Sequence, residues 1–457
     1  MSALRLHQLH AAGRRADQVV AWRGDQPLLW IDYHARVAAL YRHLVEQPGC
    51  EWILACPDPF DFAVGLFALW HANKVALIPS SFRPGALEEL SSQVDGGIID
   101  DAAPFLGEAI CPKQCPASLP NLDASQARLD LFTSGSTGEA KRVTKKLAQL
   151  DAEVSVLERV WGHRGGPIVA TVPHHHIYGL LFRLLWPLST GRAFDCETCA
   201  SPEQLLDRLN RIGRAVVISS PSHLARMPDL IPLALLKNAA GTIFSSGGPL
   251  SASAAAQFHS ALGEAPLEVY GSTETGGIAW RIQTDQAEDS EAWTPQLGVA
   301  VTVAEDGALT LSSPFLSDDQ PLSLADAGEM LADGRFRLLG RLDRVVKIEE
   351  KRLSLSDMEE RLRAHAWIKE ACTVALPGRR QNVGALLVLT SAGQAQLRDH
   401  GRHAFAQQLR KYLGHWFDAV LLPRRWRYRD SLPYNERGKL VAADIIELFG
   451  EKVASHE

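Results

Sequence analysis

The chain has 457 residues, of which 46% are hydrophobic, so it can bury a large core and is long enough for two or three domains. Its formal net charge of −6 gives no global signature of nucleic-acid binding. The first residues lack the apolar segment of a signal peptide, and no uncharged apolar run is as long as a membrane span, so we expect a cytoplasmic protein without a membrane span.

The cysteines indicate free thiols. There are seven of them, an odd number in a long chain, which fits a reducing compartment better than a disulfide framework. Cys196 and Cys199 have the spacing of a metal or redox pair, but no second pair of comparable type accompanies them. Free cysteines are therefore the favoured interpretation of this pair.

Helical and strand-like patterns alternate along the chain as far as residue 340. The predicted strands occupy residues 52–56, 75–79, 168–173, 215–219, 241–245 and 267–270. The predicted helices occupy residues 32–46, with Asp32 as N-cap, and residues 62–72, 202–212 and 251–262. This alternation is typical of an α/β fold with layered, mainly parallel sheets, whose ligands bind beyond the carboxyl ends of the strands.

The pattern changes in the last quarter of the chain. The polar stretch at residues 285–296 is predicted to be an exposed loop. After Arg341, strands are predicted at residues 345–353, 372–376 and 383–389, and helices at residues 356–364 and 394–413. These elements predict a compact α+β unit of about 110 residues.

Residues 133–141 read Thr-Ser-Gly-Ser-Thr-Gly-Glu-Ala-Lys and follow the apolar run 129–132. Gly135 and Gly138 let backbone N–H groups approach an anion closely, and Lys141 adds a cation. The hydroxyl donors are Thr133, Ser134, Ser136 and Thr137. The Gly-Lys-Ser/Thr ending of a Walker A loop is missing. The segment is interpreted as a phosphate-binding loop, and a surface turn is the alternative.

Four further segments follow in order along the chain. They are Pro-His-His-His-Ile-Tyr-Gly at 173–179, Tyr-Gly-Ser-Thr-Glu-Thr-Gly at 270–276, Gly-Arg-Leu-Asp at 340–343 and Pro-Tyr-Asn-Glu-Arg-Gly-Lys at 433–439. With residues 133–141, these segments closely resemble the signature set of the adenylate-forming superfamily of acyl- and aryl-CoA synthetases, adenylation domains and luciferases. Residues 218–224 and 346–352 resemble a short acyl-CoA-synthetase-like subgroup found beside aryl-polyene and fatty-acid-type pathways.

The resemblance implies a large N-terminal domain at residues 1–342 and a small mobile C-terminal domain at residues 343–457, hinged at Asp343. It implies that ATP activates a carboxylic acid to acyl-AMP with release of pyrophosphate, and that the acyl group then moves to a thiol. ATP and Mg²⁺ are the implied cofactors. The thiol belongs to CoA or to the phosphopantetheine of an acyl carrier protein.

The resemblance also implies a role for individual residues. The catalytic set is Lys439, Thr273, Glu274, Arg352 and Lys141. Glu274 is the implied Mg²⁺ ligand. The nucleotide-binding set is residues 133–138 with Gly247, Gly248, Tyr270, Gly271, Asp326 and Arg341. Tyr270 packs on the adenine, and Asp326 accepts hydrogen bonds from the ribose hydroxyls. The alternatives are a helix-start carboxylate for Glu274, a core tyrosine for Tyr270 and a solvated lysine for Lys439.

The acyl pocket is implied to contain polar side chains. Three adjacent histidines cannot all face one metal ion from regular structure, and the resemblance makes His176 a gate of the pocket. The other candidates are Tyr178, Ser220, Ser222 and Ser246. Such a pocket suits a small hydroxylated aromatic acid such as a hydroxybenzoate or a hydroxycinnamate. A medium-chain acyl-CoA synthetase is the alternative, and a non-catalytic nucleotide-binding scaffold is the remote one.

Two features bear on the thiol acceptor. Position 350 is Glu, where the family usually has Gly beside the pantetheine tunnel. Residues 424–429, Arg-Arg-Trp-Arg-Tyr-Arg, place Arg425, Arg427 and Arg429 on one face if they form a strand. This run is interpreted as a docking surface for an acidic carrier protein or for the phosphates of CoA, or as a solvated edge strand.

Overall fold

The computed structural model describes residues 3–99, 119–134, 140–284, 291–317, 320–348, 351–376, 382–434, 440 and 442–450. The strands up to residue 295 are β1 Val19–Arg23, β2 Gln26–Leu29, β3 Glu51–Ala55, β4 Val75–Ile78, β5 Gly96–Ile99, β6 Arg128–Ser134, β7 Ala140–Lys146, β8 Ile168–Ala170, β9 Phe194–Thr198, β10 Ala215–Ser219, β11 Ala240–Ser245, β12 Leu267–Ser272, β13 Gly276–Ile282 and β14 Ala292–Pro295. The later strands are β15 Ala300–Val303, β16 Ala308–Ser312, β17 Leu322–Met330, β18 Phe336–Arg341, β19 Val345–Ile348, β20 Lys351–Ser354, β21 Ile368–Leu376, β22 Asn382–Leu389 and β23 Arg425–Tyr428.

Helices separate most of these strands. They are α1 Leu9–Ala12, α2 Trp30–Glu46, α3 Pro59–His71, α4 Pro84–Ser91, α5 Leu147–Trp161, α6 Ile177–Gly179, α7 Trp186–Thr190, α8 Pro202–Ile212, α9 Pro221–Leu230, α10 Ala252–Leu262, α11 Leu355–Arg363, α12 Ser391–Leu413 and α13 Ala442–Gly450. A π-helix at Leu180–Leu185 links α6 to α7. Among the helices of the described ranges, none has the length and apolar character needed to cross a membrane.

Two layered sheets are built mainly from parallel strands, as the sequence predicts. In the first sheet the order is β5-β3-β4-β6-β7, and only β7 runs antiparallel to its neighbour. In the second sheet the order runs β14-β13-β12-β11-β10-β8-β9-β1-β2. The strands from β12 to β1 in that order are parallel, and β13, β14 and β2 are antiparallel. The predicted α/β fold is therefore confirmed.

Helix α3 is the layer that packs between these sheets. All 13 of its residues are buried, and it packs on β3 and β4 of the first sheet and on β9 of the second. Asp58 caps its N-terminus by accepting from the backbone N–H of Phe60 at 2.8 Å. Arg23 donates to Asp58 at 2.8 Å, which holds the capped end of the helix against β1. A helix that is apolar on every side forms here because both of its faces meet a sheet.

Three local predictions are wrong. Helix α2 begins at Trp30 with Leu29 at the N-cap, so Asp32 lies in the first turn, where its charge still favours the helix dipole. Residues 345–353, predicted as one strand, form the antiparallel pair β19 and β20. The predicted loop at 285–296 contains β14, in which Trp293 is buried. A strand of four residues that follows a polar stretch carries too weak an alternation to be recognised.

The chain divides into two compact units. The first comprises Met1–Val301, Leu311–Leu322 and Ala332–Phe336, and the second comprises Thr302–Thr310, Ser323–Leu331 and Arg337–Glu457. The predicted boundary between residues 342 and 343 lies within the last of these segments. In the second unit β21, β22 and β23 form a sheet, with β21 antiparallel and β23 parallel to β22.

An ion pair and two arginine contacts at one helix end hold the second unit together. Arg344 donates to Glu359 Oε1 at 2.6 Å and to the carbonyl of Thr373 at 3.0 Å, so the residue next to Asp343 is attached to the core of this unit. Arg425 donates to the carbonyl of Phe449, and Arg427 donates to that of Leu448 at 3.2 Å. These two arginines therefore bind the carbonyl end of α13, where a cation is favourable.

Three imidazoles lie together in the core of the first unit. His10 stacks on Trp30 with ring centroids 5.6 Å apart, and its Nδ1 is 3.1 Å from His71 Nε2. His71 Nδ1 lies 2.9 Å from the carbonyl of Pro120, which can only accept, so Nδ1 carries the proton and Nε2 accepts from His10. Burial lowers the pKa of His71 to about 4 and that of His10 well below its usual value, and it also lowers the pKa of His34.

We predict that the protein loses stability between about pH 6.5 and pH 4. In this window the unfolded chain binds protons at His10 and His71 that the folded chain does not, so the stability present above pH 6.5 is lost as the pH falls. For His71 alone the loss is about 3 kcal/mol. The thermal unfolding midpoint at pH 7.5, 6 and 5 measures this loss.

The variant His71→Asn isolates the contribution, because asparagine still donates to Pro120 but does not titrate. Its midpoint is expected to fall less steeply with pH than that of the wild type. His163→Asn, at an exposed position, serves as the control and should keep the wild-type slope. Equal slopes for His71→Asn and the wild type would contradict the assignment.

Candidate active site

The two ends of the segment 133–141 lie on the paired strands β6 and β7, which form the β6–β7 hairpin. Thr133 pairs with Lys141 and Ser134 with Ala140, and Thr133 Oγ1 donates to the carbonyl of Lys141 at 3.3 Å. The predicted phosphate ligands Gly135, Ser136, Thr137 and Gly138 lie outside the described residues, and only the backbone of Ser134 is described. The hairpin therefore brings the two ends of the predicted phosphate-binding segment to adjacent positions.

A buried carboxylate fixes the hairpin below this segment. Asp130 is fully buried and accepts from Arg142 Nε at 3.0 Å and from Thr144 Oγ1 at 2.5 Å. Arg142 also donates to Glu51 on β3. These charged hydrogen bonds tie β6, β7 and β3 of the first sheet together.

The signature segment at residues 270–276 forms a tight turn between β12 and β13. The backbone N–H of Ser272 donates to Thr275 Oγ1 at 3.0 Å, and the N–H of Thr275 donates to Ser272 Oγ at 3.2 Å. A Cβ at Gly271 would lie 2.3 Å from the carbonyl oxygen of Gly276, so the predicted site residue Gly271 is required for the turn to close. Thr273 and Glu274 occupy the tip of this turn.

One ion pair joins the hairpin to the turn. Lys141 Nζ lies 3.0 Å from Glu274 Oε1, although the two residues are 133 positions apart. Burial opposes ionisation of Glu274, but the hydrogen bonds from Lys141 and from nearby groups outweigh it, and the pKa of Glu274 is lowered. The structure thus brings together two of the predicted catalytic residues and keeps Glu274 as a carboxylate.

Two ionisable residues below the turn were not predicted from the sequence. Lys145 donates to the carbonyl of Glu274, and Glu153 accepts from the N–H of Gly277. The signal for Lys145 is its position on β7, where Val143 and Lys145 share the buried face. A lysine at an inward position of a strand indicates a buried cation with a specific partner.

The predicted adenine wall lies at the end of β12. The ring of Tyr270 is 5.6 Å from that of Trp293, and the guanidinium of Arg281 lies 4.5 Å from the Trp293 ring. At Gly247, φ is +97°, and a Cβ at Gly247 or at Gly248 would meet no atom within 4 Å. Tyr270 therefore stands on an aromatic and cationic support, and the two glycines border open space.

The predicted pocket residues follow neighbouring strands of the second sheet. Ser219 and Ser245 are paired at the carboxyl ends of β10 and β11, and Thr171 Oγ1 lies 2.8 Å from Ser219 Oγ at the end of β8. Ser246 Oγ donates to the carbonyl of Val269 on β12 at 2.8 Å. In open α/β sheets this edge is where ligands bind.

The first two of the three adjacent histidines make different contacts. His174 is buried and its Nε2 lies 2.9 Å from the carbonyl of Cys56, whereas the ring of His175 packs 4.3 Å from that of Phe82. Burial, followed by the nearby charge of Arg183, lowers the pKa of His174 well below its usual value. His176 is half-buried at the start of α6 and remains the predicted gate.

A buried arginine follows the histidine motif on the π-helix. Arg183 is fully buried, and its Nη1 donates to Val172 O at 3.0 Å and to Thr198 Oγ1 at 2.6 Å. Its Nη2 donates to the carbonyls of Asp195, Cys196 and Glu197 at 3.1, 3.0 and 2.7 Å. Burial lowers its pKa to about 10, which leaves it charged at neutral pH. The sequence did not indicate this role.

The remaining pocket candidates differ in their surroundings. The Tyr178 ring packs 4.9 Å from Phe182, and burial raises the pKa of its hydroxyl well above the usual value. Ser220 Oγ lies 3.0 Å from Ser222 Oγ and 2.9 Å from His223 Nδ1. Ser220, Ser222 and His223 thus form a small hydrogen-bonded cluster at the start of α9, and His223 was not among the predicted residues.

The other predicted site residues belong to the second unit. Asp326 is half-buried on β17, and Arg341 is exposed at the end of β18. Asp343 lies in a short 3-10 helix and Arg352 pairs with Lys347 in the β19–β20 ribbon, both described by their backbone alone. Lys439 and Glu350 lie outside the described residues. Tyr434 and Leu440 form an antiparallel bridge on either side of the Lys439 segment.

The cysteine pair carries no metal site. Cys196 and Cys199 are free and buried, and burial raises the pKa of both thiols. Across the described ranges, no group of three or more histidine, cysteine or acidic side chains is arranged to hold a metal ion. Free thiols remain the interpretation of this pair.

Comparison with known proteins identifies the family of this chain. The AMP-binding enzyme family matches residues 84–309. A 4-coumarate–CoA ligase of Cereibacter sphaeroides is 30% identical over 319 residues, which are 69% of this chain and 70% of that protein. A 4-chlorobenzoate–CoA ligase of Arthrobacter is 23% identical, and the match covers 71% of this chain and 66% of that protein.

Solved structures share the fold along nearly the whole chain. ATP-bound MatB of Rhodopseudomonas palustris has a TM-score of 0.79 at 17% identity and covers 98% of this chain and 99% of its own. The o-succinylbenzoate CoA synthetase MenE of Bacillus subtilis, in complex with its acyl-adenylate, has a TM-score of 0.77 at 17% identity and covers 97% and 98%. The chain therefore belongs to the AMP-binding enzyme family, within the adenylate-forming superfamily of AMP-forming acid–CoA ligases.

Proposed function

We propose that this protein activates a small aromatic carboxylic acid with ATP, releases pyrophosphate and transfers the acyl group from the adenylate to CoA. The observation that carries the proposal is the contact between Lys141 and Glu274, because it joins two signature segments at one edge of the sheets. Membership of the family supports the reaction class. Pyrophosphate release is the property that separates this enzyme from a nucleotide-binding scaffold.

The residues fit a site for Mg²⁺ and a triphosphate. Glu274 is ionised and half-exposed, which suits an ion that binds few protein carboxylates and keeps waters and phosphate oxygens as ligands. Bound Mg²⁺ neutralises phosphate charge. Lys141 and the Thr133 hydroxyl would bind phosphate oxygens, and Thr273 would orient the α-phosphate. In this proposal Lys439 stabilises the attacking carboxylate from the second unit, which rotates about Asp343 before thiol transfer.

The substrate class is inferred from relatives and from the pocket candidates. The relatives act on 4-coumarate and 4-chlorobenzoate by name, and a structural neighbour acts on o-succinylbenzoate. We propose that Ser220 and Ser222, at the start of α9, and His176, at the start of α6, line the acyl pocket. Polar pocket groups that lose water and stay unpaired when a substrate binds cost affinity, so such a pocket favours a hydroxylated acid over an aliphatic one.

The acceptor is proposed to be CoA, and an acyl carrier protein is the alternative. The CoA ligases among the relatives support the first choice. Strand β23 gives less support for a docking surface for a carrier protein than its sequence implied. Arg425 and Arg427 bind carbonyl groups at the end of α13 instead. Arg424 and Arg429 are exposed and remain able to meet an acidic partner.

The first test is a pyrophosphate-release assay with hydroxybenzoates, hydroxycinnamates and medium-chain fatty acids, each with and without CoA. We predict the highest kcat/KM for a hydroxylated aromatic acid and formation of its CoA thioester. A cognate acyl carrier protein replaces CoA in a parallel set. Higher turnover of an unsubstituted fatty acid than of every aromatic acid would contradict the substrate class, and thioester on the carrier protein alone would contradict CoA.

Glu274→Gln is predicted to raise the Mg²⁺ concentration needed for half-maximal adenylation on the order of 10-fold, because a neutral amide binds the ion less well than a carboxylate. A Mg²⁺ titration at saturating ATP measures this change. Glu264→Gln, which alters an exposed glutamate paired with Arg164, is the control and should leave the titration unchanged. A wild-type titration for Glu274→Gln would remove Glu274 from the metal site.

Lys439→Ala is predicted to slow adenylation by ~10²–10³ and to spare thioester formation from a supplied acyl-adenylate, because the loss of one preorganised charge affects only the first half-reaction. Both half-reactions are measured separately. Lys411→Ala, at an exposed position of α12, should change neither. An equal loss in both half-reactions would refute the proposed role of domain rotation.

A further inference from the structure

A buried lysine lies directly below the turn that carries Thr273 and Glu274. Lys145 Nζ is 2.6 Å from the carbonyl of Glu274 and 3.2 Å from the carbonyl of Phe315, and the residue is only 2% exposed. Gln149 also donates to Phe315, at 2.8 Å. The ammonium is thus held among backbone oxygens, one of which belongs to the turn.

A buried glutamate holds the other end of the same turn. Glu153 is 3% exposed, and its Oε1 accepts from the N–H of Gly277 at 2.6 Å. Its second oxygen lies against Gly276, where an added Cβ would come within 2.6 Å of it. At Gly276 φ is +68°, a conformation that other residues rarely adopt. The carboxyl group therefore packs closely on the backbone where the turn enters β13.

Two ionisable side chains hold the turn at two points. Lys145 donates to the carbonyl at position 274, and Glu153 accepts from the amide at position 277. The bond from the ammonium is charge-assisted, and although burial raises the pKa of Glu153 to about 7, its oxygen accepts from Gly277 in either protonation state. Between these two points the backbone of the turn has little freedom to shift.

We propose that Lys145 and Glu153 are positioning residues for adenylation, which fix the backbone of residues 274–277 so that Thr273 and Glu274 meet the triphosphate and its metal ion. The inference rests on the proposed function for the roles of Thr273 and Glu274. A misplacement of about 1 Å at a reacting group can cost ~10² in rate, so a clamp below the turn has a direct effect on catalysis.

The test compares Lys145→Met, Glu153→Ala and Glu153→Gln with the wild type. We expect Lys145→Met and Glu153→Ala to reduce kcat for pyrophosphate release by at least ~10-fold, with thioester formation from a supplied acyl-adenylate within about 3-fold of the wild type. Glu153→Gln should restore most of the rate lost in Glu153→Ala, because the amide oxygen still accepts from Gly277.

Two matched variants separate positioning from stability. Lys146→Met makes the same change at the next, exposed position of β7 and should alter neither half-reaction. Glu158 lies on the same helix as Glu153 and accepts from Trp186 at 2.9 Å. The variant Glu158→Gln should therefore lower the thermal midpoint without changing the kinetic constants. Equal rate losses in both half-reactions of Lys145→Met would overturn the proposal. So would an adenylation rate for Lys145→Met no lower than that of Glu158→Gln when the two variants have the same thermal midpoint.

Equilibrium binding keeps this result separate from the proposed function. Calorimetric titration with ATP and Mg²⁺ requires no turnover, and we expect Lys145→Met to weaken binding about 10-fold relative to the wild type. If the wild-type protein binds ATP but releases pyrophosphate with none of the acids, the proposed reaction is wrong. The same titration still tests whether Lys145 and Glu153 position the turn. If both Lys145→Met and Glu153→Ala bind ATP and Mg²⁺ as the wild type does, the proposed positioning role is wrong even when the enzyme is active.

Discussion

The candidate site depends on keeping two distant segments, the β6–β7 hairpin and the turn after β12, in contact. The ion pair between Lys141 and Glu274 joins them, but both side chains are partly exposed, and exposed pairs contribute little stability. The geometry must therefore come from the layers beneath. Asp130 fixes the hairpin on the first sheet, and the buried side chains of Lys145 and Glu153 fix the turn. Lys141 and Glu274 can therefore exchange partners, because the buried groups beneath them keep the two segments in place.

The same arrangement explains why the parallel strands matter. Ser219 and Ser245 are adjacent because β10 and β11 run in the same direction, and Tyr270 follows on β12. Residues that are remote in sequence thus meet along one edge without any direct attraction between them. Helix α3 stabilises this arrangement from below, since its burial on both faces couples the two sheets.

Much of this could be predicted from the sequence, and the failures have physical causes. Long apolar runs such as 215–219 and 267–270 predict buried parallel strands, and the motifs that follow them predict the edge where they meet. Trp293 was assigned to a loop because β14 is short and lies beside a polar stretch. Lys145 and Glu153 act through tertiary contacts with backbone atoms, which leave no motif. The arginines of β23 were interpreted as a surface. Their partners are carbonyl groups at the end of α13, 21 and 24 residues later in the chain, and such a contact leaves no local pattern.

Arg183 illustrates a constraint on how this sequence can vary. Its guanidinium serves four carbonyls and a hydroxyl near the ends of β8 and β9 through two fixed nitrogens. A lysine has three donors on one flexible atom and cannot match this planar fork. Substitution by lysine would leave buried carbonyls unsatisfied, and an apolar residue would leave all of them so. Position 183 therefore accepts few other side chains, because a planar guanidinium holds the backbone where β8 and β9 end.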